Sequence, residues 1–273
     1  MTTALVILVL LAGGLVVAAV AAHTHAASIA HALHARLAGA PAPLDVSARL
    51  PRKVREFALR ADATPDDLAV SVRFTQSAEM QLKPGRPWQA LEARQTIATG
   101  TAGFIWQATQ SLGPATKFRV IDSFVRGRGA LRVWLFGLAP VVHANGGDID
   151  RAEAMRYLAE LPWAPDAILG NPDLAWRMDG EDWAEVSLAM PDEPVTVRFR
   201  FDAGGDIAEV FGPDRPTTDA EGNPVRYDWQ GFFRDYRMIG PRRVPAEAEV
   251  GYVQPGGFLP YFQGRITAYE ANH

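Results

Sequence analysis

Apolar and polar positions alternate along most of the chain after residue 68, which is the period of a half-buried β-strand. Twelve such runs follow one another, separated by Gly, Pro, Asp and Asn: AVSVRFTQ, AEMQLK, ALEARQTI, GFIWQATQ, KFRVIDSFV, ALRVWLFGL, LAWRM, WAEVSLAM, VTVRFRFD, DIAEVFG, AEVGYV and YFQGRITAY. Because short polar connections between neighbouring strands favour antiparallel pairing, the pattern predicts one long antiparallel sheet.

Two segments have the 3.6-residue period of amphipathic helices instead. LPRKVREFALRA (50–61) precedes the first strand, and DIDRAEAMRYLAEL (148–161) stands between the two halves of the predicted sheet. We expect the second helix to lie across the sheet, since its apolar stripe needs a surface to cover. The polar stretch PDRPTTDAEGNP (213–224) is long enough to be a mobile loop.

The N-terminus carries an uncharged run, ALVILVLLAGGLVVAAVAA, from Ala4 to Ala22. Its roughly 19 residues match the hydrocarbon thickness of a bilayer, so the run is a membrane helix or a signal peptide. We favour an uncleaved anchor, because the run is long for a signal peptide and only MTT precedes it; small residues near its end leave cleavage open. Arg36 lies close behind the run and weakly favours a cytoplasmic domain, but a long domain translocates despite such charges.

Four histidines follow the apolar run in HTHAASIAHALH: His23, His25, His31 and His34. A metal site would use them as ligands, but only His31 and His34 have a helical spacing, and no acidic residue precedes Asp45. We therefore expect an interfacial helical segment without a metal. The predicted organisation is an anchor and juxtamembrane helix at 1–38, a Pro-rich linker at 39–49 and one α+β domain at 50–273.

The amino-acid composition excludes several classes of function. Lys and Arg number 27 against 31 Asp and Glu, so the formal net charge is −4 and the basic field that binds nucleic acid is missing. Cys is absent from the sequence, which excludes disulfides, thiol nucleophiles, Cys-zinc sites and iron–sulfur clusters. No cofactor motif is present, and we expect none to be bound.

Polar side chains interrupt the apolar faces of several predicted strands. Asp122 stands in the apolar row of KFRVIDSFV, and Gln95 and Gln76 stand in similar rows. Such groups either satisfy a neighbour or line a cavity. On the central helix Arg156 and Glu160 are i,i+4 neighbours. They form a solvated pair on the helix surface. If that helix instead packs over a concave sheet, one of the two contacts Asp122 or a ligand.

Conventional catalytic motifs are weak in this sequence. A Ser-His-Asp site would depend on His143, and no GxSxG elbow is present. RGRG (126–129) lacks the helix and the Lys-Ser/Thr of a phosphate loop, so it is interpreted as a hairpin turn. Adjacent acids such as Asp148 and Asp150 fall at predicted loops or helix caps, where acids are common.

Several motifs resemble those of an uncharacterised bacterial domain-of-unknown-function family that often follows an N-terminal membrane helix. They are GFIWQA, the stretch from Asp122 to Gly129, RYLAELPWAPDAIL, DLAW, DWQGFFRDYRMIG and RRVPAEAEV, and they cover nearly all of residues 50–270. Arg156–Pro165 is the most specific part, whereas Asp166 replaces an expected small hydroxyl residue. The family brings no assigned activity.

The arrangement of helix and sheet also looks like the half-barrel of periplasmic lipoprotein carriers and sigma-factor regulators, whose concave apolar face holds acyl chains. This resemblance implies an α+β fold in which a membrane helix precedes a large, curved, antiparallel sheet with a helix on its concave face. The expected location is the cell membrane, single-pass, with the domain on the extracytoplasmic (periplasmic) side.

Two classes of function follow. The first is a membrane-anchored binding module for a lipid or another apolar ligand, with an aromatic lining and a polar end; the candidate ligand-binding residues are Gln95, Trp106, Asp122, Arg156, Glu160 and Trp163. The second is an enzyme that acts on a small or sugar-like substrate through Asp122, Arg156 and Glu160. The same aromatic residues would equally fill the core of a helix-covered sheet. Scaffolding of a membrane complex leaves no trace in the sequence.

Overall fold

A computed structural model describes residues 2–83, 85–112, 115–136, 139–219 and 221–273, with side chains described from residue 20 on, apart from residues 112 and 115. Within these residues, thirteen antiparallel strands form one sheet in the order β6-β5-β4-β3-β2-β1-β13-β12-β11-β10-β9-β8-β7. The strands are β1 Ser71–Met80, β2 Gln89–Ala98, β3 Gly103–Leu112, β4 Ala115–Val125, β5 Arg128–Leu135, β6 Ala139–Asn145, β7 Leu174–Met178, β8 Trp183–Leu188, β9 Val195–Phe201, β10 Ile207–Thr218, β11 Pro224–Ile239, β12 Arg242–Gln254 and β13 Gly257–Asn272. The helices are α1 Thr2–Ala38, α2 Arg52–Arg60, α3 Gly147–Ala159 and α4 Pro165–Gly170, with short 3-10 helices at Ser47–Arg49 and Leu161–Trp163.

The sheet is curled around α3. This helix contacts β5 through Asp150, which accepts a hydrogen bond from the Gly129 amide at 2.6 Å, and it reaches β10 through Glu153, whose Oε1 lies 3.7 Å from Arg215 Nη2. Eight strand-to-strand steps of about 4.8 Å would place β5 and β10 nearly 40 Å apart in a flat sheet, too far for one helix to touch both. The antiparallel half-barrel with a helix on its concave face, which the sequence predicts, is therefore confirmed.

The predicted helix at 50–61 is also confirmed, as α2. Its buried side chains are those of the expected apolar face, with Val54, Phe57 and Ala58 inside the helix and Ala61 at its C-terminal cap. The Phe57 ring packs edge-on against aromatic residues of β9 and β11, with ring centres about 6 Å apart. The helix therefore covers the apolar core beside the last strands of the sheet.

The predicted loop at 213–224 is wrong for most of its length. Strand β10 continues to Thr218, strand β11 begins at Pro224, and only a tight turn remains between them. The Asp219 carboxylate accepts hydrogen bonds from the backbone amides of Glu221 and Asn223, which stabilise the turn. A register shift between Gly212 and Arg215 breaks the alternation of polar and apolar positions, so the strand is not visible in the pattern.

Three other strands differ from the prediction. The runs AVSVRFTQ and AEMQLK form the single strand β1, while β6 and β11 had not been recognised as strands. Strand β6 lies at one edge of the sheet and is almost wholly exposed, so it has no buried face to create an alternating pattern.

The C-terminal part of α1 packs on the convex face of the sheet. Ala26, Ala30 and Leu37 of the helix form a second apolar cluster with side chains of β2–β5, namely Ala98, Ile105, Ile121, Val125 and Trp134. His34 Nε2 lies 3.2 Å from Gln107 Oε1 on β3. This part of the helix is therefore attached to the domain, with His34 in contact with β3, while the interpretation of the four histidines as an interfacial segment stays a prediction.

In the part of the chain that the structure describes, no helix is both long and apolar enough to cross a membrane. The predicted anchor at residues 4–22 lies for the most part outside the described side chains.

Part of the predicted linker at 39–49 is also bound to the domain. The amides of Leu44 and Val46 donate hydrogen bonds to the carbonyls of Gly170 and Leu169 at 2.8 and 2.9 Å. The segment is therefore held against the end of α4, while the predicted domain boundaries stay predictions.

Candidate binding site on the inner face of the sheet

Strand register places three of the predicted site residues side by side. Gln95 on β2 pairs with Trp106 on β3, and Trp106 pairs with Asp122 on β4. Because side chains directly opposite each other in antiparallel strands point to the same face, all three lie on the concave face. Trp106 Nε1 donates a hydrogen bond to the buried Gln76 at 2.9 Å, so Gln76 satisfies the indole.

Helix α3 and its C-terminal cap bring Arg156 and Glu160 against this row. Arg156 donates from Nε to Glu160 Oε1 at 2.8 Å and from Nη1 to Asp122 Oδ2 at 2.6 Å. The second oxygen of Glu160 accepts a hydrogen bond from Gln95 Nε2. The Arg156 guanidinium also lies 5.1 Å from a Trp106 ring centre, within the range of a cation–π contact. Five of the six predicted residues are therefore brought together.

Two further charged residues belong to the same group and were missed from the sequence. Glu153 lies one turn before Arg156 on α3, and its Oε1 lies 3.7 Å from Arg215 Nη2 on β10. Arg215 also donates from Nη1 to the Tyr252 hydroxyl and stacks 4.7 Å from the Trp229 ring centre. The spacing 153, 156 and 160 places three charged residues on one helix face and could have revealed Glu153. Arg215 was hidden in the predicted loop.

We call Gln95, Asp122, Glu153, Arg156, Glu160 and Arg215 the inner polar cluster. Burial raises the pKa values of Asp122 and Glu160, although the guanidinium of Arg156 opposes the shift in both. Burial, reinforced by the charge of Asp122, raises the pKa of Glu153 to about 8. Glu153 is thus mostly protonated at neutral pH.

Four side-chain atoms of the inner polar cluster have no hydrogen-bond partner among the described residues: Gln95 Oε1, Asp122 Oδ1, Glu153 Oε2 and Arg215 Nε. Each belongs to a residue that is less than 10% exposed. Buried polar atoms in native proteins are nearly always paired, so four unpaired atoms in one cluster are unusual. The cluster has spare hydrogen-bonding capacity for a molecule outside the chain.

Trp163, the sixth predicted residue, does not join this cluster. Its Nε1 donates to the Pro245 carbonyl at 2.8 Å, and its ring packs against Phe74 and Phe233 with centres 5.7 and 5.5 Å away. The indole is buried and its polar atom is satisfied inside the protein. These contacts are those of a core residue, so nothing in its surroundings indicates a ligand.

Two surface pockets of about 300 and 290 Å³ lie away from the inner polar cluster. The first is lined at the β7 edge by residues that include Leu50 and Trp176, and the second by residues that include Thr101 and Met190. None of the six predicted binding residues lines either pocket. Among the described residues there is also no group of three or more His, Cys, Asp or Glu positioned to hold a metal ion.

Fold and site together define a class of protein: a curled antiparallel half-barrel whose internal helix closes over a buried polar cluster. Within this class, the chain belongs to the family of unknown function DUF6544, whose model matches residues 42–264. A comparison with curated proteins gives no match.

Three of the solved structures to which the chain is similar are the following bacterial proteins. A LolA superfamily protein from Nitrosomonas europaea is 10% identical, with a TM-score of 0.38 over 81% of this chain and 94% of that chain. A putative outer membrane lipoprotein-sorting protein domain from Vibrio parahaemolyticus is 9% identical, with a TM-score of 0.46 over 82% and 93%. A DUF1329 family protein from Desulfovibrio piger is 10% identical, with a TM-score of 0.39 over 82% and 93%.

Proposed function

We propose that this protein is a binding module that holds a lipid or another amphipathic ligand on the concave face of the half-barrel, with the polar end of the ligand at the inner polar cluster. The observation that carries the proposal is the set of four buried and unpaired polar atoms in one cluster. An unpaired buried polar atom costs roughly 1–3 kcal/mol, and a bound polar group would recover that cost.

Apolar side chains continue the concave face beyond the cluster. Val120 lies two residues before Asp122 on the inner face of β4, and Met80, Leu91 and Phe262 lie on the same face of β1, β2 and β13. All four are only partly buried although they pack against the core. This row supplies an apolar surface next to the polar cluster, as an amphipathic ligand requires.

Catalysis by Asp122, Arg156 and Glu160 is the alternative. Two perturbed carboxyl groups beside an arginine would suit acid–base chemistry. The three side chains, however, bind one another, and each is at most 17% exposed. Because the carboxyl groups of Asp122 and Glu160 are both paired with Arg156, neither is free to act as a general acid or base, and this favours binding over catalysis.

We also propose that residues 4–22 anchor the protein in the cell membrane with the domain on the extracytoplasmic side. The uncharged run supports this proposal, and α1, which includes it, continues without a break to Ala38. Alkaline carbonate extraction of cell membranes and protease treatment of spheroplasts test it. Release by carbonate would contradict the anchor, and protection from protease in intact spheroplasts would contradict the orientation.

Binding is tested on the full-length chain by native mass spectrometry after extraction from membranes, followed by lipid extraction and identification. We expect a stoichiometric amphipathic molecule. Leu91→Gln places a polar group on the inner apolar row and should reduce the bound fraction several-fold. Leu82→Gln, at a residue that is 59% exposed, is the matched control and should leave it unchanged.

Equal occupancy in the two variants, or a full-length chain that carries nothing even after incubation with the lipids of its host membrane, would contradict the proposed function.

A further inference from the structure

The unpaired atoms of the inner polar cluster differ in their hydrogen-bonding character. Gln95 Oε1, Asp122 Oδ1 and Glu153 Oε2 are oxygens, whereas Arg215 Nε is a donor. A group that pairs with all four must therefore offer several donors and at least one acceptor. A hydroxyl group has both properties, and several neighbouring hydroxyls meet the whole requirement.

An anionic head group would leave most of these atoms unpaired, because three of the four are oxygens and an ionised phosphate or carboxylate offers them no donor. The guanidinium of Arg156 is already in use, since its Nε and Nη1 groups donate to Glu160 and Asp122. At Arg215, Nη1 donates to Tyr252 and Nη2 lies 3.7 Å from Glu153, so the edge that could bind an anion is next to a carboxyl group.

A cationic group fits the cluster no better. It would pair with the free oxygens, but it would leave Arg215 Nε unpaired and would lie beside two guanidinium groups. The aromatic faces that attract cations are already in use, since Arg156 covers Trp106 and Arg215 covers Trp229.

We propose that the inner polar cluster selects an uncharged head group with several hydroxyls, such as a glycosyl or glycerol group, and rejects phosphate and ammonium head groups on the same apolar chain. This inference rests on the proposed function and adds the chemical class of the ligand. The protonated state of Glu153 at neutral pH is consistent with it, because a neutral carboxyl group both donates to and accepts from a hydroxyl.

Three ligands with one apolar chain and different head groups test the inference: octyl glucoside, octyl phosphate and octyltrimethylammonium. Each is titrated below its micelle concentration into the full-length protein in lipid nanodiscs, with calorimetric detection and empty nanodiscs as the blank. We expect octyl glucoside to bind about tenfold more tightly than the other two, because each rejected head group leaves buried polar atoms unpaired.

A double variant separates head-group selection from a structural role. Asp122→Asn with Glu153→Gln keeps the shapes and replaces two acid groups by amides that can donate to an anion, so affinity for octyl phosphate relative to octyl glucoside should rise about tenfold. The control, Glu79→Gln with Glu92→Gln, replaces two acids by amides at exposed residues of β1 and β2. It should leave the ratio unchanged.

The outcomes distinguish this inference from the proposed function. Equal binding of the three ligands, or an unchanged ratio in a double variant that melts cooperatively, would overturn the head-group selection and leave the binding function intact. No binding of any of the three above the nanodisc blank would overturn the selection and the binding function together.

Discussion

Two buried charged groups in this protein are organised differently. At the base of the half-barrel, Asp166 on α4 and Arg242 on β12 form a bidentate pair at 2.8 and 2.9 Å, and Asp166 also accepts a hydrogen bond from the Ala69 amide. We call Trp163, Asp166, Arg242 and Tyr269 the base cluster. On the concave face, the inner polar cluster has three carboxyl groups, two guanidinium groups and four unpaired atoms.

The difference separates a structural ion pair from a candidate site. In the base cluster each buried polar group has a partner within the chain: the Trp163 indole binds Pro245, and the Tyr269 hydroxyl binds the Trp163 carbonyl at 2.8 Å. Such a network holds its surroundings in one arrangement. The inner polar cluster is also largely buried, but its polar groups are incompletely paired and its carboxyl groups have raised pKa values. Burial alone therefore does not mark a candidate site, whereas four unpaired atoms in one cluster do.

The largest effect should come from Trp163→Ala. Removal of a buried indole and its hydrogen bond to Pro245 leaves a cavity in the core, so we expect the free energy of unfolding to fall by about 4 kcal/mol. Chemical denaturation measures the change. Bound ligand, scored on the folded fraction, should stay at the wild-type level. A nearly unchanged stability with weakened binding would place Trp163 in the binding site and would contradict its assignment to the structural base cluster.

Asp166→Asn tests how much the buried charge pair of the base cluster contributes to stability. The amide cannot accept both hydrogen bonds from Arg242, which is left buried without its counter-charge, so we expect a loss of about 3 kcal/mol. Asp182→Asn is the control, because the Asp182 carboxylate is 64% exposed and pairs with Lys53 at the surface. Comparable losses in the two variants by denaturant unfolding would show that the buried pair has no special structural role.

Glu153→Gln tests the inner polar cluster by its dependence on pH. The pKa of Glu153 is raised to about 8 in the folded protein, so the folded state binds this proton more tightly than the unfolded state. Its contribution to stability is present at low pH and is lost as pH rises from about 4.5 towards 8, at about 1 kcal/mol per pH unit. Glu153→Gln should remove this slope between pH 5 and 8, as measured by urea unfolding.

The exposed Glu92→Gln variant should retain the wild-type slope. An equal slope in wild type and Glu153→Gln would mean that Glu153 is already ionised at neutral pH in the folded state.

Much of the sheet could be predicted from the sequence, because alternation reports a strand wherever one face is buried and the other is exposed. The prediction failed at β6 and at the end of β10 for different reasons. Strand β6 is almost wholly exposed, and the irregular pairing between Gly212 and Arg215 shifts the alternation in β10. The whole of β11 was also missed as a strand, although its DWQGFFRDYRMIG segment had been noted as a motif.

The candidate site was predictable where polar residues interrupt an apolar row. Asp122 and Gln95 stood out for this reason, and register brought them together through Trp106. Arg215 could not be found, since no local pattern shows that β10 curls back to face β4 across α3. Trp163 was selected as an aromatic residue in a specific motif, but sequence alone does not tell a core tryptophan from a binding one.

The smallest change in stability should come from Asp122→Asn, which repeats the Asp166→Asn substitution in the inner polar cluster. Burial already disfavours the Asp122 carboxylate, as its raised pKa shows, and Arg156 retains Glu160 as a partner after the substitution. Removal of the Asp122 charge, which burial disfavours, should therefore change the free energy of unfolding by less than about 1 kcal/mol. Ligand affinity, in contrast, should change several-fold, since the substitution alters an atom that would contact the ligand. A loss as large as that of Asp166→Asn would make Asp122 a structural residue, and a gain in stability without any change in binding would leave the cluster no role in ligand recognition.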